Sequence, residues 1–145
     1  MKLPEYVSAD EVKRVCIELN IRDWTTLGEP KVLPEEAHVI LAELNTGEMK
    51  ISLENFRQGL EVELEHWIRF PEANVTNNHP ILTGQIVLAH FKESLDYYQR
   101  LEVAEIEGDL LKAAVSKNAA KVEALYRKLV NARLILCQEE SDSLA

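Results

Sequence analysis

No glycine or proline follows Gly108, and none stands between Gly84 and Gly108. A chain that runs so far without its strongest turn-formers has few places to reverse as a tight β-hairpin, which favours helices. Only five Gly and five Pro occur in 145 residues, and no alternating strand pattern is stronger than the short "MKIS". The fold class read from this pattern is all-α, an up-and-down bundle of about five helices in one domain spanning 1–145.

The helix starts are marked by local chemistry. Ser8 followed by Glu11 forms a capping box ahead of Val12, Val15, Cys16 and Leu19, which share one face. Pro34 with Glu35 and Glu36 opens a second helix through Ala37, Ile40, Leu41 and Leu44, which "NTG" would end, with Gly47 as its left-handed cap. The segments "DEVKRVCIELN" and "EEAHVILAELN" resemble each other, as a duplicated unit or as two converged amphipathic helices would. Ser52 announces a third helix to Phe70, and Pro80 a fourth, continuing to a break at Gly108-Asp109. A last helix or kinked pair covers about 110–136, before a polar, frayed tail. The organisation is thus an amino-terminal helix pair (1–50), a central antiparallel hairpin (52–105) and a carboxy-terminal helix (109–138).

The central hairpin carries the chemistry. "LEVELEHWIRF" and "IVLAHFKESLDYY" each place a glutamate and a histidine three residues apart, in mirrored order: Glu63 and His66, then His90 and Glu93. All four fall beside apolar stripes, Phe56/Leu60/Leu64 on one helix and Leu88/Phe91/Leu95 on the other. If the helices rise equally from residue 78, His66 comes level with His90, and Glu63 with Glu93. Two carboxylates and two imidazoles in a dry interior need partners, because desolvation penalises each and like charges repel. One divalent ion (Zn, Fe or Mn) would relieve both, and Glu-x-x-His is a spacing used by helical metal centres. Hydrogen-bonded Glu–His pairs without metal satisfy the same burial. Tyr97, Asp96, Glu65 and His79 are secondary candidates around this site; His79 reads otherwise as a cap for the fourth helix, and His38 as surface.

Several function classes are disfavoured. A formal charge of −9 with scattered basic residues argues against a nucleic-acid partner. No run approaches the roughly 20 apolar residues of a spanning helix, and no signal-peptide pattern opens the chain, so a cytoplasmic location is expected. Cys16 and Cys137 fit neither a zinc ribbon nor a CxxC motif and read as buried thiols. Catalysis would need an open coordination position and a shaped pocket, neither of which is legible. Three readings follow: a metal-binding protein with a structural, storage or sensing role, a self-associating helical interaction module, and, third, a small hydrolytic or oxygen-using metalloenzyme.

The segments "FRQGLEVELEH", "NVTNNHPILTGQIVLAH" and "DYYQRLE" together resemble a small bacterial family known as a domain of unknown function. Its members share G-(L/M)-x-VELEHG, NVT…P…TGKIALAHL and PDYY-x-RL segments, matched here over roughly residues 52–105. The resemblance implies a shared helical hairpin with Glu63, Glu65, His66, His90, Glu93, Asp96 and Tyr97 at motif positions, and no established activity. Trp67 stands where the family has glycine, Asn78-His79 where an acidic pair is usual, and Leu95 where proline is usual. The amino-terminal half and the stretch after Gly108 read as additions to this family core.

Overall fold

A computed structural model describes residues 7–144 of the chain. The expected class holds: the described residues form six α-helices and two single-turn 3-10 helices, with no strand. The chain divides into two compact units, Met1–Lys92 and Glu93–Ala145.

In the first unit, α1 (Ala9–Glu18) starts where expected, with Ser8 Oγ accepting from the Glu11 amide at 3.2 Å. A 3-10 turn at Trp24–Thr26 leads through an extended segment to α2 (Pro34–Ala42). That helix ends a turn before Gly47, whose left-handed backbone (φ +60°) lies in the following loop instead. α3 (Leu53–Arg69) is capped by Ser52, whose hydroxyl accepts from the Asn55 amide at 3.0 Å. A further 3-10 turn, Pro71–Ala73, precedes α4 (Pro80–Glu93). The core joins these elements through Val12, Trp24, Ile40, Phe56, Leu60, Leu64 and Val87, all fully buried. Burying each such side chain contributes roughly 1.5–3 kcal/mol.

The expected central hairpin is not built as a simple antiparallel pair. α3 packs on α2. α4 meets both through Gly84, where an added Cβ would lie 2.7 Å from Leu44, 3.1 Å from Ile40 and 3.3 Å from Phe56. The connection explains the difference. Residues 70–79 are folded rather than a plain loop, with Asn77 and Asn78 at φ 49° and 61°, a left-handed backbone that asparagine tolerates. Asn78 Nδ2 donates to the Trp24 carbonyl at 3.1 Å, its Oδ1 accepts from Asn74 at 3.0 Å, and the Asn77 amide group donates to the Val7 carbonyl. These bonds tie the α3–α4 connection to the amino-terminal segment instead of letting α4 fold straight back along α3.

In the second unit, α5 (Tyr97–Val115) and α6 (Ala119–Leu144) pack against each other. Two expectations are corrected here. The helix opened by Pro80 breaks at residues 94–96, and Gly108 lies inside α5; the true reversal is at 116–118, with Lys117 at φ 55°. The tail read as frayed is helical to Leu144. Asn118 Oδ1 accepts from the Lys121 amide at 3.0 Å and starts α6. On α6 a seam of Val122, Leu125, Leu129, Ala132 and Leu136 recurs in alternating steps of three and four residues. Leu129 and Ala132 are its buried members. Cys137 falls off this seam and is exposed, contrary to expectation, whereas Cys16 is buried in the first unit.

Candidate functional site

Glu63 lies on the buried side of α3, among Gly59, Leu60 and Leu64. His90 stands in the last turn of α4 and is partly buried. The two approach in the first unit, with His90 Nε2 3.6 Å from Glu63 Oε1. That is ion-pair distance for a protonated imidazole and longer than a hydrogen bond. The contact is offset by three residues from the equal-rise expectation, which set Glu63 level with Glu93.

His66, in the same unit, does not join this pair. His66 is exposed on the final turns of α3, and Glu93 is exposed at the end of α4. Glu65 is exposed and lies 3.7 Å from Arg69. Asp96, in the second unit, pairs with Arg100 at 2.6 Å and accepts from the Ser94 hydroxyl. The Arg100 guanidinium beside Asp96 holds its carboxyl below the usual range. Tyr97 packs edge-on against Tyr98, with ring centroids 5.2 Å apart. His38 is exposed.

Among the described residues no three His, Cys, Asp or Glu side chains gather closely enough to hold a metal ion. The separation of Glu63 and His90 would itself suit two corners of a tetrahedral site, whose bonds are about 2.0–2.2 Å. Two protein ligands fall short of the four that structural zinc sites use and the three of catalytic ones. Among the described residues, Glu63 and His90 alone therefore do not make up the donor set of a divalent-ion site.

His79 is a buried group with a defined task. Its Nδ1 accepts from the Leu82 amide at 3.3 Å and so caps α4, the structural role read from its place before Pro80. Burial pushes its imidazole below the ordinary histidine range; Glu11 opposes that shift and Arg14 adds to it. The unfolded chain therefore takes up this proton first as the pH falls below about 6.5. Its contribution to stability is complete above that value and is lost as the pH falls through the depressed folded-state value. We expect the urea midpoint to decrease between about pH 7.5 and 5.5. His79→Asn, which keeps an acceptor for the Leu82 amide, should flatten that slope; an unchanged slope would assign the effect elsewhere.

A buried carboxylate with several partners was not singled out from the sequence. Glu36 is buried and accepts at Oε1 from Arg22 Nε (2.8 Å), the Arg22 amide (3.3 Å) and Trp24 Nε1 (3.4 Å). Its Oε2 accepts from Arg22 Nη2 (2.6 Å) and the Leu33 amide (2.9 Å). Burial pushes this carboxyl upward, but the Arg22 guanidinium and the Leu33 amide outweigh it and hold the group below its usual range. The legible signal was local: Glu36 sits three residues after the residue preceding Pro34, where a side chain can reach back to the cap amide. Nearby, Glu61 accepts from the Val32 amide at 3.0 Å while pairing with Arg57 at 2.5 Å. Together these groups fasten the extended segment between the first 3-10 turn and α2 onto the helices around it.

Residues 12–107 match the family described as "Protein of unknown function (DUF5661)". The chain belongs to that family. The match corrects the reading that confined the family core to about 52–105, because α1 and α2 are part of it. The Glu36 clasp, the Asn78 bridge and the Glu63–His90 pair all lie within the family's span, whereas α6 lies outside it. No curated protein and no solved structure matches the chain. No helix among the described residues is long and apolar enough to cross a membrane.

Proposed function

We propose that this family member is a non-catalytic helical interaction module that associates with copies of itself, and that Glu63 and His90 are a structural pair fixing how α3 meets α4. One observation carries the proposal: the apolar surface left on the carboxy-terminal helices. Leu111, Val115, Tyr126, Val130 and Leu134 are 67, 75, 57, 53 and 68% exposed. Two packed helices bury only the seam between them, and apolar surface on this scale marks a place where another molecule sits. The chain's charge of −9 supports a protein partner over nucleic acid.

The Glu63–His90 pair supports the same reading from the other side. A polar contact set between two helices favours the one packing in which its partners meet, and Glu63 and His90 do this for α3 and α4. Light scattering of the full chain over a wide concentration range tests the module. A mass that climbs with concentration above the 16.5 kDa of one chain is expected; 16.5 kDa at every concentration would contradict the proposal.

A further inference from the structure

Resting on the reading just given, we infer that the self-associating surface is one side of the α5–α6 pair, and that two copies meet there with their α6 helices antiparallel. Tyr126, Val130, Leu134 and Cys137 follow one another at helical steps along α6, to one side of the seam that faces α5. Two shallow grooves flank the ends of this stripe. One, at the α5–α6 turn, is lined by Ala114, Ala119, Val122 and Tyr126, with Lys117 and Glu123 on its rim. The other, at the opposite end, includes Leu144, which is 89% exposed.

The charges along α6 set the direction. Its beginning and the preceding turn carry Lys117, Lys121, Arg127 and Lys128 against Glu123 alone; its final turns carry Glu139, Glu140 and Asp142 with no basic residue. Parallel copies would set like against like. Antiparallel copies set each basic half over the partner's acidic half, and a two-fold axis makes both contacts at once. With Val130 across from Leu134 of the partner subunit, Leu144 comes level with residues 119–122 and reaches the partner's apolar groove. The occupant is a second copy because the exposed leucine, the groove and the two charge blocks answer one another under that symmetry, although Glu140 also pairs with Arg100 and Arg127 with Glu123 within one chain. A helix of 26 residues presents a face about 39 Å long.

The test uses the full chain. Leu134→Asp changes an exposed side chain, so helix content by circular dichroism should stay as in the wild type. The dimer dissociation constant should rise at least about 100-fold, because both copies lose the contact. Ile17→Asp, at a 79% exposed position of α1 outside this surface, should leave the dimer intact. A spin label at Ser141→Cys in a Cys137→Ser background reads the orientation. Antiparallel copies place the two labels about 27 Å or more apart along the axis, and parallel copies about 10 Å. Added salt should weaken the dimer. A Leu134→Asp chain that dimerises like the wild type, or labels at the short distance, overturns this arrangement while the module stands. A wild-type chain monomeric at every concentration overturns the reading beneath it.

Discussion

Glu36→Ala is expected to destabilise the amino-terminal unit by about 3 kcal/mol, the largest loss expected from any single carboxylate among the described residues. The carboxylate is 4% exposed and serves the Arg22 side chain, two backbone amides and the Trp24 indole. Removing it leaves the Leu33 amide and the buried indole N–H without an acceptor. The Arg22 side chain, 41% exposed, recovers water and limits the cost. Glu36→Gln should fare little better, since its amide nitrogen would face either the guanidinium or the Leu33 N–H, donor against donor. For a chain of this size the fall in melting temperature is about 10 °C. The pH dependence supplies a second reading. The folded-state pKa of Glu36 is lowered, so its stabilisation is present above the ordinary carboxylate value and is lost as the pH falls through the folded one. Acid unfolding of the wild type should therefore flatten in Glu36→Ala. Thermal melts of both chains at about pH 7 and pH 3 check this; equal melting temperatures at neutral pH would remove Glu36 from its central place.

Gly84→Val is expected to cost about 3 kcal/mol, and Gly84→Ala far less. The alanine Cβ meets chiefly the tip of Leu44, a half-buried side chain that can swing aside. Alanine also gains close to 1 kcal/mol of helix propensity over glycine, which offsets the crowding. Valine adds γ carbons toward Ile40 and Phe56, both fully buried, which would have to move well beyond the few tenths of an ångström that an alanine Cβ asks of them. The ordering Gly, Ala, then Val distant from both separates close packing from backbone freedom, because Gly84 is helical and needs no special conformation. Urea titrations of the three chains measure it. A valine chain as stable as the wild type would mean that α4 does not pack here against α2 and α3.

Much of the fold was legible where its causes are local. Ser8, Pro34, Ser52 and Pro80 mark helix starts because capping is settled within a few residues. The breaks at 94–96 and 116–118 were not legible, since neither holds glycine or proline. Lys117 takes the left-handed position that glycine usually occupies, and Gly108 sits in mid-helix, where propensity alone would have placed a stop. The candidate site was half legible. Periodicity put Glu63 and His90 on inward faces, and they meet. It could not give the route of α4, which depends on the asparagine-tied connection and on contacts at Gly84. His66 and Glu93 were therefore drawn into a cluster that needed a straight antiparallel hairpin. Glu36 was passed over because a first-turn glutamate is ordinarily explained by the helix dipole, and its partners Arg22 and Trp24 are brought to it by tertiary structure.

Elemental analysis of untagged protein, set beside the His90→Ala chain, bears most directly on whether Glu63 and His90 are a structural pair. The pair reading predicts background zinc, iron and manganese in both chains, an unchanged wild-type melting temperature after chelation, and a lower one for His90→Ala. Near-stoichiometric metal in the wild type, lost in His90→Ala, would contradict it.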